Sequence, residues 1–149
     1  MRRFENKVAI VTGCGDGIGY GISERLSHEG ANVMVVDFNA EIASQSVSEL
    51  DSKNSGSVKL TVGDVSNPQT SIDAVKNTLD SWGKVDILVN NAGINMDNLS
   101  LRMKEEEWKK VIDINLSSTF LITKNVIKKM LKHKIIKWKN WIRITHRAI

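Results

Sequence analysis

The sequence predicts an α/β fold in which a doubly wound parallel sheet carries helices on both faces, and two observations lead to it. Short apolar runs of strand length alternate along the chain with segments in which apolar residues recur every three or four positions. That alternation is typical of repeated βαβ units, which build parallel sheets. A glycine-rich segment also lies between the first predicted strand and the first predicted helix, where sheets of this class bind ligands.

The first four elements follow from local signals. Residues 7–12 carry apolar side chains suited to both faces of a buried strand. In residues 17–29 the apolar side chains recur four apart, as on one face of a helix, and Gly30 is suited to end that helix. Residues 32–37 then repeat the strand pattern, and residues 41–50 repeat the helical one.

The remaining elements continue the alternation. A polar turn at residues 51–56 leads to a third strand at residues 58–62. A proline near its first turn marks a helix over residues 66–82, and residues 85–89 form the fourth strand. A long helical pattern occupies residues 104–133. Right-handed crossovers between these parallel strands predict the strand order 3-2-1-4.

Composition favours one folded domain without a metal site or a membrane segment. The 149 residues are 41% apolar and 26% charged, as expected of a globular chain with its own core. Cys14 is the only cysteine, and no cysteine and histidine cluster has metal-ligand spacing, which favours a reducing compartment. The first strand leaves no room for a targeting peptide, and no apolar run has membrane-spanning length. We therefore expect a cytoplasmic protein.

The glycine-rich segment has the features of a dinucleotide site. One glycine lets the chain leave the strand sharply, a second lets the backbone approach a pyrophosphate, and a third allows close packing of the helix. The helix N-terminus adds free N–H groups and the positive end of a dipole. Asp37 ends the second strand, where an acid can accept hydrogen bonds from the adenosine ribose. A glycine-rich turn without a ligand is the alternative. The candidate residues of the segment are Thr12, Gly13, Gly15, Asp16, Gly17, Ile18 and Gly19.

The glycine spacing and three further motifs resemble the short-chain dehydrogenase/reductase family. Asp64 and Val65 are similar to the pair that flanks the adenine ring in that family, and residues 90–93 read Asn-Asn-Ala-Gly, like the family's turn after strand four. Asn115 matches the asparagine that bends the following helix and positions a water in the family's proton relay. The resemblance implies a Rossmann-type sheet. The further cofactor-binding residues that it implies are Asp64, Val65, Asn91, Ala92 and Gly93.

Within the family, residues 90–108 most resemble the reductases of 3-oxoacyl-carrier-protein thioesters. This implies an NAD(P)-dependent oxidoreductase that reduces such thioesters to 3-hydroxyacyl forms in fatty acid synthesis. The implied partners are a nicotinamide dinucleotide, an acyl-carrier-protein thioester and further copies of the chain in a dimer or tetramer.

The proton-donating residues of the family have no match in the sequence. The family carries a serine on the strand after this long helix and a Tyr-x-x-x-Lys on the next helix. The only tyrosine here is Tyr20, which has no lysine four positions later. Asn115 is thus the one member of the catalytic tetrad that is present. We expect a truncated sheet and a catalytically inert chain whose exposed apolar edge favours aggregation or a partner. The alternative function is a non-catalytic nucleotide-binding or regulatory module.

Charge favours NAD over NADP as the cofactor. Asp16 and Asp37 are the side chains that could meet a 2′-phosphate, and two carboxylates would repel it. The carrier-protein reductases of the family commonly use NADPH and often place a basic residue where Asp16 stands, so both cofactors stay open.

The last segment differs in composition from the rest. Residues 124–149 contain nine basic residues and no acidic one, whereas residues 1–123 contain 12 basic and 17 acidic residues. We therefore expect a dinucleotide-binding domain at residues 1–130 and an atypical basic tail at residues 131–149. Three interpretations of the tail are a changed reading frame or retained intron, a poor fifth strand at residues 141–145, and a basic aromatic arm for nucleic acid or a membrane surface. The break in the resemblance favours the first, so neither nucleic acid nor a membrane is an expected partner.

Overall fold

A computed structural model describes residues 2–132, and these form a four-stranded parallel sheet with helices on both faces. The strand order is β3-β2-β1-β4, so the predicted α/β class and the order 3-2-1-4 are confirmed. The possible fifth strand at residues 141–145 lies outside the described residues. The strands are β1 (Val8–Thr12), β2 (Asn32–Asp37), β3 (Val58–Val62) and β4 (Ile87–Val89). The helices are α1 (Gly17–His28), α2 (Ala40–Lys53), α3 (Pro68–Trp82), α4 (Glu105–Ile112) and α5 (Ser118–Lys132), with a π-helical turn (Asp113–Ser117) between the last two.

Burial on both faces of the sheet explains why its strands were recognisable. All five residues of β1 are buried, and β2 is buried from its second residue onward. Val11 and Val35 contact the core on the side of α1 and α2, whereas Ile10, Met34 and Val36 contact the core on the side of α3 and α5. Two apolar cores therefore hold the sheet from opposite sides and fix the ends of its strands.

Most element boundaries agree with the sequence-based expectation to within two residues, and the start of β4 and the end of α2 are two that differ by two residues or more. The fourth strand begins at Ile87 instead of residue 85. Directly before it, the Val8 N–H donates to the Asp86 carboxylate at 2.9 Å, and the Asp86 N–H donates to the Val8 carbonyl at 2.8 Å. The second helix extends to Lys53, into the expected polar turn. An ion pair between Lys53 and Glu49, one helical turn apart, stabilises this extension.

The long helical pattern is not one helix. A five-residue π-helical turn lies within it at Asp113–Ser117, so the helical pattern predicted over residues 104–133 consists of two α-helices joined by this turn within the described residues. The hydroxyl of Thr119 donates to the Asn115 carbonyl four residues earlier at 3.4 Å, and Ser118 binds Ile114 in the same way. Such hydroxyl bonds compete with the helical ladder and bend helices. The interruption falls on Asn115, at the position where the family resemblance implied a bend.

One edge of the sheet and one face of α5 are incompletely covered by the described residues. All three residues of β4 are only half-buried. Leu116 and Phe120 are exposed by 61% and 63%, and they line a groove with almost entirely apolar walls. Within residues 2–132 no helix is long and apolar enough to cross a membrane, and no group of three or more potential metal-ligating side chains lies together.

Candidate functional site

The carboxyl ends of the strands open into a cleft with two adjoining parts. We call one the glycine cleft, which encloses about 350 Å³ beside the glycine-rich loop. We call the other the apolar cleft, which encloses about 360 Å³ between the β3–α3 loop and α4. Gly13, Asp37, Phe38, Ala92 and Gly93 line both parts. The cleft lies where open α/β sheets bind ligands, at a reversal of the strand order beside β1.

The glycine cleft brings together most of the residues selected from the sequence. It is bordered by the loop after β1, the end of β2 and the turn after β4. The predicted residues that line it are Gly13, Gly15, Asp16, Gly17, Ile18, Gly19, Asp37, Asn91, Ala92 and Gly93.

Gly19 is required by a close approach within the loop. A Cβ atom at this position would lie 2.0 Å from the carbonyl oxygen of Gly13 and 2.6 Å from the side-chain nitrogen of Asn91. The sequence predicted close packing of the helix here, and the structure shows that the close neighbour is the loop itself. Only glycine lets α1 begin directly against the end of β1.

Helix α1 presents an open N-terminus to the glycine cleft. No side chain caps this helix, so its first N–H groups point toward the cleft without a side-chain acceptor. Gly17, the first helical residue, has a φ of +57°, and nothing lies within 4 Å of the place where its Cβ would be. Free N–H groups and the positive end of the helix dipole favour an anion at this position.

Asp37 connects the end of β2 to the glycine-rich loop. Its carboxylate accepts hydrogen bonds from the backbone N–H groups of Gly15 at 2.8 Å and Asn39 at 2.9 Å. The residue is only 8% exposed. Ser46 of α2 supports the same loop, because its hydroxyl donates to the Gly15 carbonyl at 2.6 Å. The carboxylate is therefore held at the rim of the cleft in a fixed orientation.

Thr12 does not line the cleft but holds together two of its walls. Its hydroxyl oxygen accepts hydrogen bonds from the backbone N–H groups of Asn91 and Ala92, each at 3.1 Å. The Asn91 side chain donates in return to the carbonyls of Thr12 at 3.1 Å and Gly13 at 2.7 Å. These bonds join the loop after β1 to the turn after β4, so the two motifs found separately in the sequence form one structural unit.

The apolar cleft contains the second group of predicted residues. Asp64 and Val65 form one wall, and Ile94, Lys110 and Ile114 line it from the β4–α4 loop and from α4 onward. The backbone N–H and hydroxyl of Ser66 both donate to the Asp64 carboxylate, at 2.8 Å and 2.7 Å. These two bonds orient the Asp64 side chain within the wall of the apolar cleft.

Asn115 reaches back from the π-helical turn to the loop that borders the apolar cleft. Its side-chain oxygen accepts from the Ile94 N–H at 2.8 Å, and its side-chain nitrogen donates to the Ile94 carbonyl at 2.8 Å. One side chain thus satisfies both backbone groups of a loop residue 21 positions away in sequence. In this structure Asn115 positions the loop after Gly93.

Cys14 lies under the loop and is chemically protected. Its side chain is fully buried, and its thiol donates to the Val11 carbonyl at 3.1 Å. Burial raises the pKa of the Cys14 thiol to about 12, so the thiol stays protonated near neutral pH. This supports the assignment of Cys14 to packing.

Tyr20 also has no access to acid–base chemistry. It packs on the outer side of the core between α1 and α2. Burial, followed by the nearby carboxylates of Glu49 and Glu24, raises the pKa of Tyr20. A phenol that donates a proton near neutral pH needs the opposite shift, which a neighbouring ammonium group supplies.

Several cleft residues were not found from the sequence. They lie beside predicted positions but have no motif of their own. Phe38 is 76% exposed although it is aromatic, and it lines both parts of the cleft directly after Asp37. An exposed aromatic side chain at the end of a buried strand is a signal that could have been used. The other missed residues are Val36, Asn39, Ile42, Gly63, Ile94, Asn95, Met96, Lys110 and Ile114.

Comparison with known proteins identifies the family. The sequence profile described as short chain dehydrogenase matches residues 7–136. The chain belongs to the short-chain dehydrogenase/reductase family. Its relatives include the 3-oxoacyl-(acyl-carrier-protein) reductase FabG of Chlamydia muridarum, 41% identical over 127 residues, which cover 85% of this chain and 51% of that protein. The enzyme of the same name from Escherichia coli is 40% identical over 131 residues, which cover 88% of this chain and 52% of that protein.

A solved structure shows the same architecture. L-sorbose reductase from Gluconobacter frateurii, in a complex with NADPH and L-sorbose, superposes with a TM-score of 0.84 at 26% identity. The matched region covers 89% of this chain and 50% of that protein. The chain therefore spans about half the length of the relatives that it matches.

Proposed function

We propose that this chain is the cofactor-binding part of an NAD(P)-dependent oxidoreductase that reduces 3-oxoacyl-carrier-protein thioesters to 3-hydroxyacyl thioesters. The observation that carries the proposal is the cleft at the strand ends. There an open helix N-terminus, a glycine loop fixed by Asp37 and the Thr12–Asn91 connection border one binding space. The substrate class rests on the likeness to reductases of that name at about 40% identity.

The proposed roles of the residues follow from their positions. The N–H groups at the start of α1 bind the pyrophosphate, because they are uncapped and face the cleft. Asp37 accepts hydrogen bonds from the adenosine ribose, and Asp64 and Val65 flank the adenine. Asn91, Ala92 and Gly93 form the wall that the middle of the dinucleotide follows. Asn115 is a positioning residue for the β4–α4 loop, and no residue of the chain is assigned the proton transfer.

We expect the 149-residue chain to bind NADH without catalysing turnover. The polypeptide has no Tyr-x-x-x-Lys, and its one tyrosine, Tyr20, has a raised pKa. Proton donation to a carbonyl therefore has no suitable group. The test is to follow nicotinamide absorbance with acetoacetyl thioesters after the same preparation has been shown to bind NADH by calorimetry. The Escherichia coli relative serves as the active control. Turnover by the chain would refute the proposed inertness, and absence of NADH binding would refute the proposed function.

A non-catalytic regulatory module is the second candidate function. The nucleotide sequence of the gene can distinguish it from part of a reductase. Translation of all three frames downstream of the Met130 codon should reveal a serine-containing strand and a Tyr-x-x-x-Lys if the chain is part of a reductase gene. Finding neither would favour the regulatory module.

We expect NADH to bind about tenfold more tightly than NADPH. The Asp37 carboxylate is fixed at the cleft rim and the Asp16 side chain is exposed beside it. Two nearby carboxylates would oppose a 2′-phosphate by about 1 kcal/mol or more, which corresponds to roughly tenfold in affinity. Calorimetric titration with both cofactors measures the ratio of the NADH and NADPH affinities. Asp16→Asn is expected to bring this ratio closer to one. A wild-type chain that prefers NADPH would contradict this prediction.

Assembly and location are proposed from the family resemblance. We propose a homo-oligomer, dimer or tetramer, that works in the cytoplasm on an acyl-carrier-protein thioester. The exposed apolar side chains of Leu116 in the π-helical turn and Phe120 at the start of α5 support the need for a further protein surface. Sedimentation of the purified chain at several concentrations tests self-association.

A further inference from the structure

A groove along α5 is an apolar surface that the proposed cofactor site does not use. We call it the α5 groove; it extends from Leu116 to Lys128, encloses about 500 Å³ and has almost entirely apolar walls. Leu116 and Phe120 line it and are exposed, although both side chains are large and apolar. No described residue that lines the α5 groove lines either part of the cleft. The groove is therefore a surface that needs a cover of its own.

The charged side chains at the α5 groove are both basic. Lys124 and Lys128 border it, and no acidic residue of the described part of the chain does. The Lys124 ammonium lies 5.8 Å from the centre of the Phe120 ring. Lysine ammonium groups attract the faces of aromatic rings, and tryptophan is the best partner. The groove therefore suits an apolar segment that carries tryptophan and holds its own cations away from the rim.

The 17 residues that follow α5 have this composition. The described part of α5 ends at Lys132, and we call residues 133–149 the terminal segment. It contains two tryptophans and no acidic residue. When its residues are placed on a helical period, most apolar residues fall on one side and three basic residues, four positions apart, fall on the other; Ile136 and Ile144 do not follow this division. The apolar side has Trp138, Trp141, Ile142 and Ile149, and the basic side has Lys139, Arg143 and Arg147.

The terminal segment is long enough to cover the whole α5 groove. Leu116, at the far end of the groove, lies 16 positions before Lys132, or about 24 Å along a helix. Seventeen residues span about 25 Å as a helix and up to about 56 Å when extended. Because the segment is joined to the helix that carries the groove, its effective concentration there is on the order of millimolar. A second copy of the chain reaches that concentration only in very concentrated solution, which favours the terminal segment as the occupant.

We propose that the terminal segment folds back along α5 and covers the α5 groove with Trp138 and Trp141. The two indole rings pack against Leu116 and Phe120, and the basic side of the segment faces water. The chain thus shields part of its own apolar surface. This inference does not depend on cofactor binding.

Contacts between copies of the chain then involve other parts of the surface. Leu99, Leu101 and Trp108 are exposed apolar residues that do not line the α5 groove. They stay available for the proposed dimer or tetramer when the groove is covered.

The test measures how fast a maleimide modifies a cysteine placed in the α5 groove of the full 149-residue chain. Thr119→Cys puts a thiol in the groove, where Thr119 is half-buried. Ser52→Cys provides a reference thiol on the exposed end of α2, away from the groove. The natural Cys14 does not interfere, because it is fully buried and its pKa is raised to about 12.

Each introduced cysteine is combined with two changes in the terminal segment. Trp138→Ser together with Trp141→Ser removes the aromatic contacts. Asn140→Ser is the matched control, because Asn140 lies between the two tryptophans in sequence but falls outside the apolar side. Circular dichroism checks that all variants fold.

We expect the Thr119→Cys thiol to react about tenfold faster when both tryptophans are replaced, as it would if the segment covered the groove roughly nine-tenths of the time. Asn140→Ser should leave its rate within about twofold. The Ser52→Cys rate should be the same in all backgrounds, and the protection of Thr119→Cys should not change on dilution.

Three results would overturn the inference. Equal Thr119→Cys rates with and without the tryptophans would show that the segment leaves the groove open, as it would if residues 141–145 paired as a fifth strand. Protection that disappears on dilution would identify a second copy of the chain as the occupant. A parallel change at Ser52→Cys would show that the tryptophans act on the whole fold and not on the groove.

Discussion

Gly19→Ala is expected to reduce NADH affinity about ten- to 100-fold and to destabilise the fold. The new Cβ would lie 2.0 Å from the Gly13 carbonyl oxygen and 2.6 Å from the Asn91 side chain. Neither neighbour can move freely, because Asn91 itself binds the carbonyls of Thr12 and Gly13. The start of α1 must shift, which takes its N–H groups away from the pyrophosphate. Overpacking of this kind costs about 1–3 kcal/mol of stability or more, and a similar loss in binding corresponds to roughly ten- to 100-fold in affinity.

Gly21→Ala is the matched control for this substitution. Gly21 lies two residues further along α1, it is exposed, and nothing lies within 4 Å of its Cβ position. Alanine is the better helix former by about 0.5–1 kcal/mol, so this variant should be as stable as the wild type or more stable. Urea unfolding and NADH titration of both variants form the measurement. If Gly19→Ala bound NADH as the wild type does, the glycine loop would not be the pyrophosphate site.

Asn115→Ala is expected to lower stability by about 2 kcal/mol and NADH affinity about tenfold. The substitution removes both hydrogen bonds to Ile94, each 2.8 Å long. Unpaired backbone groups cost about 1–3 kcal/mol each when they are buried. We take about 1 kcal/mol for each of the two groups, the lower end of that range, because Ile94 is half-buried and water can replace part of the loss. The loop carrying Ile94 borders the apolar cleft, so its release also loosens the cofactor site.

Two variants separate the loop-positioning role of Asn115 from a general effect on the helix. Asn125→Ala removes an asparagine from the same helical region, where its side chain donates to Ser71 at 2.8 Å, away from the cleft. It should lose some stability and keep its NADH affinity. Asn115→Asp keeps the acceptor for the Ile94 N–H but places a carboxylate opposite the Ile94 carbonyl. Its defect should be largest when the carboxylate is charged and should decrease as pH falls toward the range in which aspartate protonates. Equal NADH affinity in Asn115→Ala and the wild type would contradict the positioning role.

The glycine loop and the strands were predictable because their signals are local. The second and third strands have the bounds expected from their apolar patterns, since burial on both faces leaves a continuous apolar run. The fourth strand was expected two residues too long, and the residue before it, Asp86, binds Val8, which lies 78 positions away and which no local pattern identifies as its partner. The resemblance implied a bend at Asn115, but its π-helical form was not predicted, for a related reason. Its residues are compatible with an α-helix, and the turn forms where a side chain binds a distant loop.

The candidate site likewise has some features that the sequence predicted and others that only the structure showed. The sequence by itself determined the family, the sheet order and the residues of the glycine loop, because the spacing of glycines fixes where a backbone can turn and pack closely. Only the tertiary structure decided that Asn91 connects to the loop after β1, that Asn115 holds both backbone groups of Ile94, and that Lys110 lines a cleft with Asp64. Those relationships join residues 21 to 78 positions apart. The packing of α4 and the loops around the sheet brings these distant residues together. No local pattern in the sequence predicts that packing.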